Sequence, residues 1–291
     1  MFLLDSALVM ISKNKILILG LFVSTSFSQE VKWMSIGDLH NWYSAAGCEV
    51  ETGRTGQVSD QQDGLRYPAF YRVQDNQAAK GLWLGATNFY DPVVNKDYEY
   101  KVIHAGPRHL DIENETMPVD MTMDGKYDHP NVFVDGDPAT NLQYLDDVDN
   151  VDPSLPSDRR INNIVQTSIG VQMKRTIHAF SHPEHQNYHI QEYVFTNNGC
   201  FDADCNTSYE QTLEGFQVYL QYRYAISREG MVYDGNWLPQ SAAWGHNTMN
   251  DVIGEHPNAP SINDQYYDDG EIMRALFSWQ GYHSDASFDN L

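Results

Sequence analysis

The sequence predicts an all-β protein built as antiparallel β-sandwiches, two β units joined by an acidic, loop-rich segment. Three observations predict it. Residues 161–225 carry apolar and polar side chains with a period of two, the signature of strands with one dry face. Short strand-like runs recur at near-regular spacing along the chain, with Asp-Gly and Asn-Gly turn signals between them. Helical periodicity is almost absent beyond residue 28.

The chain opens with Lys13 and Lys15 ahead of the apolar run Ile16-Leu17-Ile18-Leu19-Gly20-Leu21-Phe22-Val23, and small residues lead to Ser26-Phe27-Ser28. A basic start, a short apolar core and small residues before a cleavage point make residues 1–28 a secretory signal peptide. The run is too short to span a bilayer, and no integral membrane segment is expected in the mature chain. Residues 1–9, with Asp5 among them, fit this scheme poorly, which makes Met10 the alternative start.

Residues 29–110 read as an N-terminal β unit. Val31-Lys32-Trp33-Met34-Ser35-Ile36 forms a first strand, and residues 61–70 give a turn and an edge-type segment, since Pro68 cannot donate to a ladder. Gly81-Leu82-Trp83-Leu84-Gly85-Ala86-Thr87 and residues 98–104 are further short strands. From 111 to 160 the alternation fades, except around Val132-Phe133-Val134, and Asp and Pro accumulate, so this segment reads as a solvated connection between two β units or a long acidic loop on one of them.

Residues 161–291 form the β-sandwich unit. Val165, Thr167, Ile169, Val171, Met173, Arg175, Ile177 and Ala179 fall on one face of a single extended strand. A second strand covers 188–196 and ends at Asn197-Asn198-Gly199. A third covers 216–225 and turns Phe216, Val218, Leu220, Tyr222 and Tyr224 to one side. Short links between the three favour an antiparallel meander. The chain stops at Leu291 without a visible closing element, and is expected to be truncated there.

The balance of 40 acidic against 18 basic residues gives a formal charge of -22. Such a surface repels nucleic acid and anionic lipid, so neither is an expected partner. It attracts calcium, and in salty water, with a Debye length below about 10 Å, its self-repulsion is screened.

At Asp158-Arg159-Arg160-Ile161, Thr167-Ser168-Ile169-Gly170-Val171 and Glu192-Tyr193-Val194-Phe195-Thr196-Asn197-Asn198-Gly199 the sequence resembles a family of large secreted or surface proteins of uncultivated marine bacteria. Asn236-Trp237-Leu238-Pro239-Gln240-Ser241-Ala242-Ala243-Trp244-Gly245-His246-Asn247-Thr248-Met249-Asn250-Asp251 carries the same resemblance, as does the pairing of Tyr67-Pro68 with Gly81-Leu82-Trp83-Leu84-Gly85. These proteins are related to those bearing a C-terminal type IX secretion sorting tail, which is missing here. The resemblance implies a secreted or outer cell-surface location and a fragment of a longer chain. It assigns no activity to any residue.

Candidate sites come from side-chain chemistry. With Pro183 and Glu184 at a hairpin tip, His178 lies opposite His189 and His182 opposite His185, so four imidazoles crowd one end of a sheet in a manner that suits zinc or copper. The spacing matches no established motif, and a polar tip collects histidines without a metal. Oxygen ligands for structural calcium are offered by Asp135 and Asp137, or by Asp146, Asp147, Asp149 and Asp152, though neither run has the EF-hand frame. A solvated acidic loop is the alternative. Cys200 and Cys205 are positioned to bridge a small loop in an oxidising compartment, which leaves Cys48 as a buried thiol.

Trp237, Trp244, Tyr266, Tyr267, Trp279 and Tyr282 enrich the last third in rings that either stack on sugars or anchor the core. No nucleophile elbow, zinc-protease helix or phosphate-binding loop is present, and no catalytic residue is assigned. The expectation is a non-enzymatic extracellular structural or adhesion module that meets glycans or cell-surface proteins. The alternative is a carbohydrate-active protein, either a glycan-binding module or a domain associated with a glycoside hydrolase.

Overall fold

The computed structural model describes residues 30–50, 65–70, 76–105, 115–128, 133–138, 147–224, 232–233, 236–237, 248–254 and 274–280. The expected signal peptide, 1–28, lies outside the described residues, as do Asp146, Trp244, Tyr266, Tyr267 and Tyr282. Among the described residues the regular structure is all β. No helix in them is long and apolar enough to cross a membrane.

In chain order the strands are β1 (Val31–Met34), β2 (Asn41–Ser44), β3 (Glu49–Val50), β4 (Gln77–Asp91), β5 (Lys96–Ala105) and β6 (Thr116–Gly125). Then come β7 (Phe133–Val134), β8 (Asp137–Pro138), β9 (Asn150–Val151), β10 (Arg159–Thr167), β11 (Val171–Ala179) and β12 (His189–Asn197). The last are β13 (Glu214–Tyr224), β14 (Val232–Tyr233), β15 (Asn236–Trp237), β16 (Thr248–Gly254) and β17 (Arg274–Gln280).

Two sheets make the sandwich. One is five-stranded, in the order β12-β11-β10-β6-β9. The other is β13-β4, with β3 and β5 sharing the far edge of the long β4: Lys80 and Ala79 pair with β3, while residues from Leu82 to Asp91 pair with β5. Strand alternation turns Leu82, Leu84 and Ala86 of β4, with Ile103 of β5, onto Val165, Val171 and Met173 of the opposite sheet. A second apolar cluster forms where the β1–β2 hairpin lays Met34 and Tyr43 on Met121, Met123, Ile161 and Ile177.

Between the two clusters runs a polar belt. Asn163 and Arg175 are register partners, both fully buried. The Arg175 guanidinium donates to the carbonyls of Gly47 and Ser44, at 3.1 and 2.8 Å, and to Asn163 Oδ1 at 3.1 Å, over the ring of Tyr43. An arginine on the dry face thus finds acceptors for its two terminal nitrogens in the β2–β3 turn and Asn163 rather than in solvent.

Five sequence expectations need correction. Residues 165–179 are not one strand: β10 and β11 form a hairpin whose three-residue loop ends at Gly170, φ +73°. The two-residue period runs through this loop unbroken, because residues of equal parity face each other across it and Ile169 is itself fully buried. The acidic segment hides a central strand, β6, whose pattern is interrupted where the register shifts past Pro118 and Val119.

The meander ends at β12, and β13 crosses to the other sheet to pair with β4, Leu220 against Leu82. The division into 29–110 and 161–291 therefore does not separate two units, since strands of both share one sheet and one core. Val218, expected to be dry, is 42% exposed because β13 is an edge strand.

Candidate functional site

The outward face of β13-β4-β5 collects the chemistry best suited to a ligand. On β4 the inward residues are Leu82, Leu84 and Ala86, so Gly81, Trp83, Gly85 and Thr87 point out. Register sets Tyr219 of β13 and His104 of β5 on either side of Trp83, which gives one line of three rings across three strands. The Trp83 and His104 ring centroids are 5.0 Å apart at 33°. His104 is steadied by Glu115, whose Oε2 lies 3.0 Å from its Nδ1 and accepts its backbone N–H at 2.9 Å.

The neighbouring rows are what make this line a platform. Gly81 and Gly85 flank Trp83 along β4 and put no side chain beside it. The indole Nε1 lies 3.4 Å from the position a Cβ on Gly81 would take, so the ring reclines over that glycine. Among the described residues its buried N–H meets no acceptor, and the side chain is half-buried on this face. Opposite the two glycines stand the exposed Gln221 and Gln217, whose amides can both donate and accept. Tyr219 is 60% exposed, and Tyr100 and Val102 extend the face with 69% and 52% exposure.

A second cluster sits inside the sandwich. Glu49 Oε1 accepts from Lys80 Nζ and from Gln191 Nε2, both at 2.9 Å, and Oε2 accepts from Asn41 at 2.7 Å and Gln77 at 3.2 Å. Lys80 also reaches Gln191 Oε1 and the Tyr193 hydroxyl, at 3.0 and 3.1 Å. Burial alone would push the Glu49 carboxyl up, yet the Lys80 charge and the bonds from Lys80 and Gln191 outweigh it and hold it below the usual range. With both oxygens doubly engaged, this carboxylate ties β3 and β4 to β12 and has no lone pair left for a substrate.

Nearby, Tyr43 Oη and His189 Nδ1 are 2.7 Å apart, and burial drives the His189 imidazole down to about 4. Cys48 is buried and its thiol is pushed up to about 11 by that burial, so it stays protonated and is no nucleophile at neutral pH.

The four-histidine arrangement is not formed. Register pairs His178 with Ile190 and Ala179 with His189, one step off the expected facing, and a one-residue offset sends His189 to the core and His178 to the other side. His178 Nδ1 lies 2.8 Å from Ser157 Oγ. His182 and His185 do come together, with Glu184: one ligand atom from each lies within 4.8 Å of the others, all exposed. Among the described residues this is the one such group of three.

Of the acidic run, Asp146 lies outside the described residues, and Asp147, Asp149 and Asp152 do not converge. Asp149 Oδ2 is taken by Lys32 Nζ at 2.9 Å and by the Met123 N–H at 2.6 Å, and Asp152 Oδ1 caps Ser154 through its N–H and hydroxyl. Asp147 is exposed. Asp135 forms, with Gly136, the positive-φ pair of the β7–β8 turn and leads directly into Asp137. Cys200 and Cys205 form a disulfide, Cα–Cα 4.8 Å. Of the C-terminal aromatic set, Trp279 is 45% exposed on β17.

The ring line was missed in the sequence because Trp83 read only as part of a strand. Its signal was the alternation Gly81-x-Trp83-x-Gly85, a large ring between two bare positions on the solvent face. Comparison of the chain with known families, curated proteins and solved structures finds no match.

Proposed function

We propose that the chain is a non-enzymatic extracellular binding module of adhesion type that holds glycans on the outward face of β13-β4-β5. The observation that carries this reading is the line Tyr219–Trp83–His104, with Gly81 and Gly85 on either side of Trp83 along β4. Sugar rings lay their C–H faces on aromatic planes, and their hydroxyls seek amides such as those of Gln217 and Gln221. An open face favours an extended polysaccharide over an enclosed monosaccharide. Export to the cell surface rests on the leader-like residues 1–28 and on charge.

Affinity electrophoresis of the full chain through gels holding soluble polysaccharides tests the reading. At least one polysaccharide retards the protein, Trp83→Ala abolishes the retardation, and Phe133→Ala, on a different hairpin, leaves it intact. Unretarded migration in every polysaccharide, or equal retardation of Trp83→Ala, overturns it.

A further inference from the structure

We propose that the turn His182-Pro183-Glu184-His185 is a transition-metal site that takes zinc or copper(II). The turn is closed by the His185 N–H donating to the His182 carbonyl at 2.8 Å, which brings side chains three residues apart to one side. The two imidazole centroids stand 5.6 Å apart at 39°. Ligand atoms from His182, Glu184 and His185 already lie within 4.8 Å of one another. Metal bonds of about 2.0–2.2 Å require them to close to roughly 3–3.5 Å, a movement that exposed side chains make without shifting the backbone.

The backbone under the turn is held from both ends. The Asp38 N–H donates to the Gln186 carbonyl at 2.8 Å, and Gln186 Nε2 donates to Asp38 Oδ2 at 2.9 Å. Gly37, φ +76°, lets the chain pass so close that a Cβ there would stand 2.6 Å from the Phe180 carbonyl oxygen and 2.7 Å from that of Gln186. Phe180 packs on both His185 and Tyr188.

The partners of the two rings suit ligation. Tyr188 Oη is 2.5 Å from His185 Nδ1. With Nδ1 engaged by that hydroxyl, Nε2 is the ring nitrogen left for a metal, the arrangement that outer partners of metal-bound histidines give. The His182 lone pair on Nδ1 meets the Glu184 N–H across 3.2 Å, a long bond that a metal displaces readily. Two imidazoles and one carboxylate are a borderline donor set that selects zinc or copper over calcium, which takes six to eight oxygens. The fourth position stays open to water or to a ligand atom.

Isothermal titration of the full chain with zinc chloride, in excess calcium to occupy diffuse acidic sites, reads the site directly. One saturable equivalent binds per chain, its affinity falls at least tenfold in His182→Ala and in His185→Ala, and it is unchanged in His178→Ala. Copper(II) paramagnetic resonance then shows coupling to two imidazole nitrogens, lost in the His182→Ala/His185→Ala double variant. Absence of a saturable equivalent, or full binding in that double variant, overturns the proposal. Because the turn lies outside the β13-β4-β5 face, loss of metal leaves polysaccharide retardation standing or failing by itself.

Discussion

Lys80 Nζ lies 2.9 Å from the Glu49 carboxylate, and both groups are buried between the two sheets. Removing one charge strands the other in a dry interior. Lys80→Ala is therefore expected to lower the unfolding free energy by roughly 3–5 kcal/mol. The double variant Glu49→Gln/Lys80→Gln, which leaves no charge behind, recovers part of that loss. Urea titrations of the two variants check this, and equal or additive losses would contradict it.

His189 sets a pH dependence. Its folded value is near 4 while the ordinary value is 6.5, so the unfolded chain binds the extra proton. Its contribution is complete above pH 6.5 and is lost as pH falls towards 4, by up to roughly 3 kcal/mol. In His189→Leu the slope over that window flattens, although stability at neutral pH drops as Tyr43 loses its partner. Melting temperatures across the window check the sign.

Gly170 and Gly136 both take positive φ, +73° and +91°, but a Cβ on Gly170 would press on the Phe201 ring at 3.1 Å while one on Gly136 meets nothing. Gly136→Ala is expected to cost about 1 kcal/mol through backbone conformation alone. Gly170→Ala costs more than that. Chemical denaturation of the two single variants gives the ranking.

Reduction of the Cys200–Cys205 bridge reopens a loop with a sequence separation of 5. In the chain-entropy model so short a loop contributes about 2 kcal/mol, and Cys200→Ser/Cys205→Ser is expected to lose that amount. A thermal melt of the double variant against the oxidised protein measures it.

The alternation around Val171 was legible because one buried face imposes a period of two whether or not the chain turns. For the same reason the turn at 168–170 was not legible: Thr167, Ile169 and Val171 are all inward, and only Gly170 marks the hairpin. Which strand accepts β13 is a long-range choice, and adjacency in sequence pointed to β12 rather than to β4. β6 went unread since Pro118 and the bulged Val119 break its pattern. The histidine register depended on how the chain folds between 180 and 188, where a one-residue offset reverses the facing of every side chain.

Saturation-transfer difference NMR tests the glycan-binding claim most directly, using an oligosaccharide from whichever polysaccharide retards the full chain. The account predicts transfer concentrated on the axial C–H protons of the sugar, abolished in Trp83→Ala and weakened in Tyr219→Ala. Absence of transfer, or transfer of equal strength in Trp83→Ala, would contradict it.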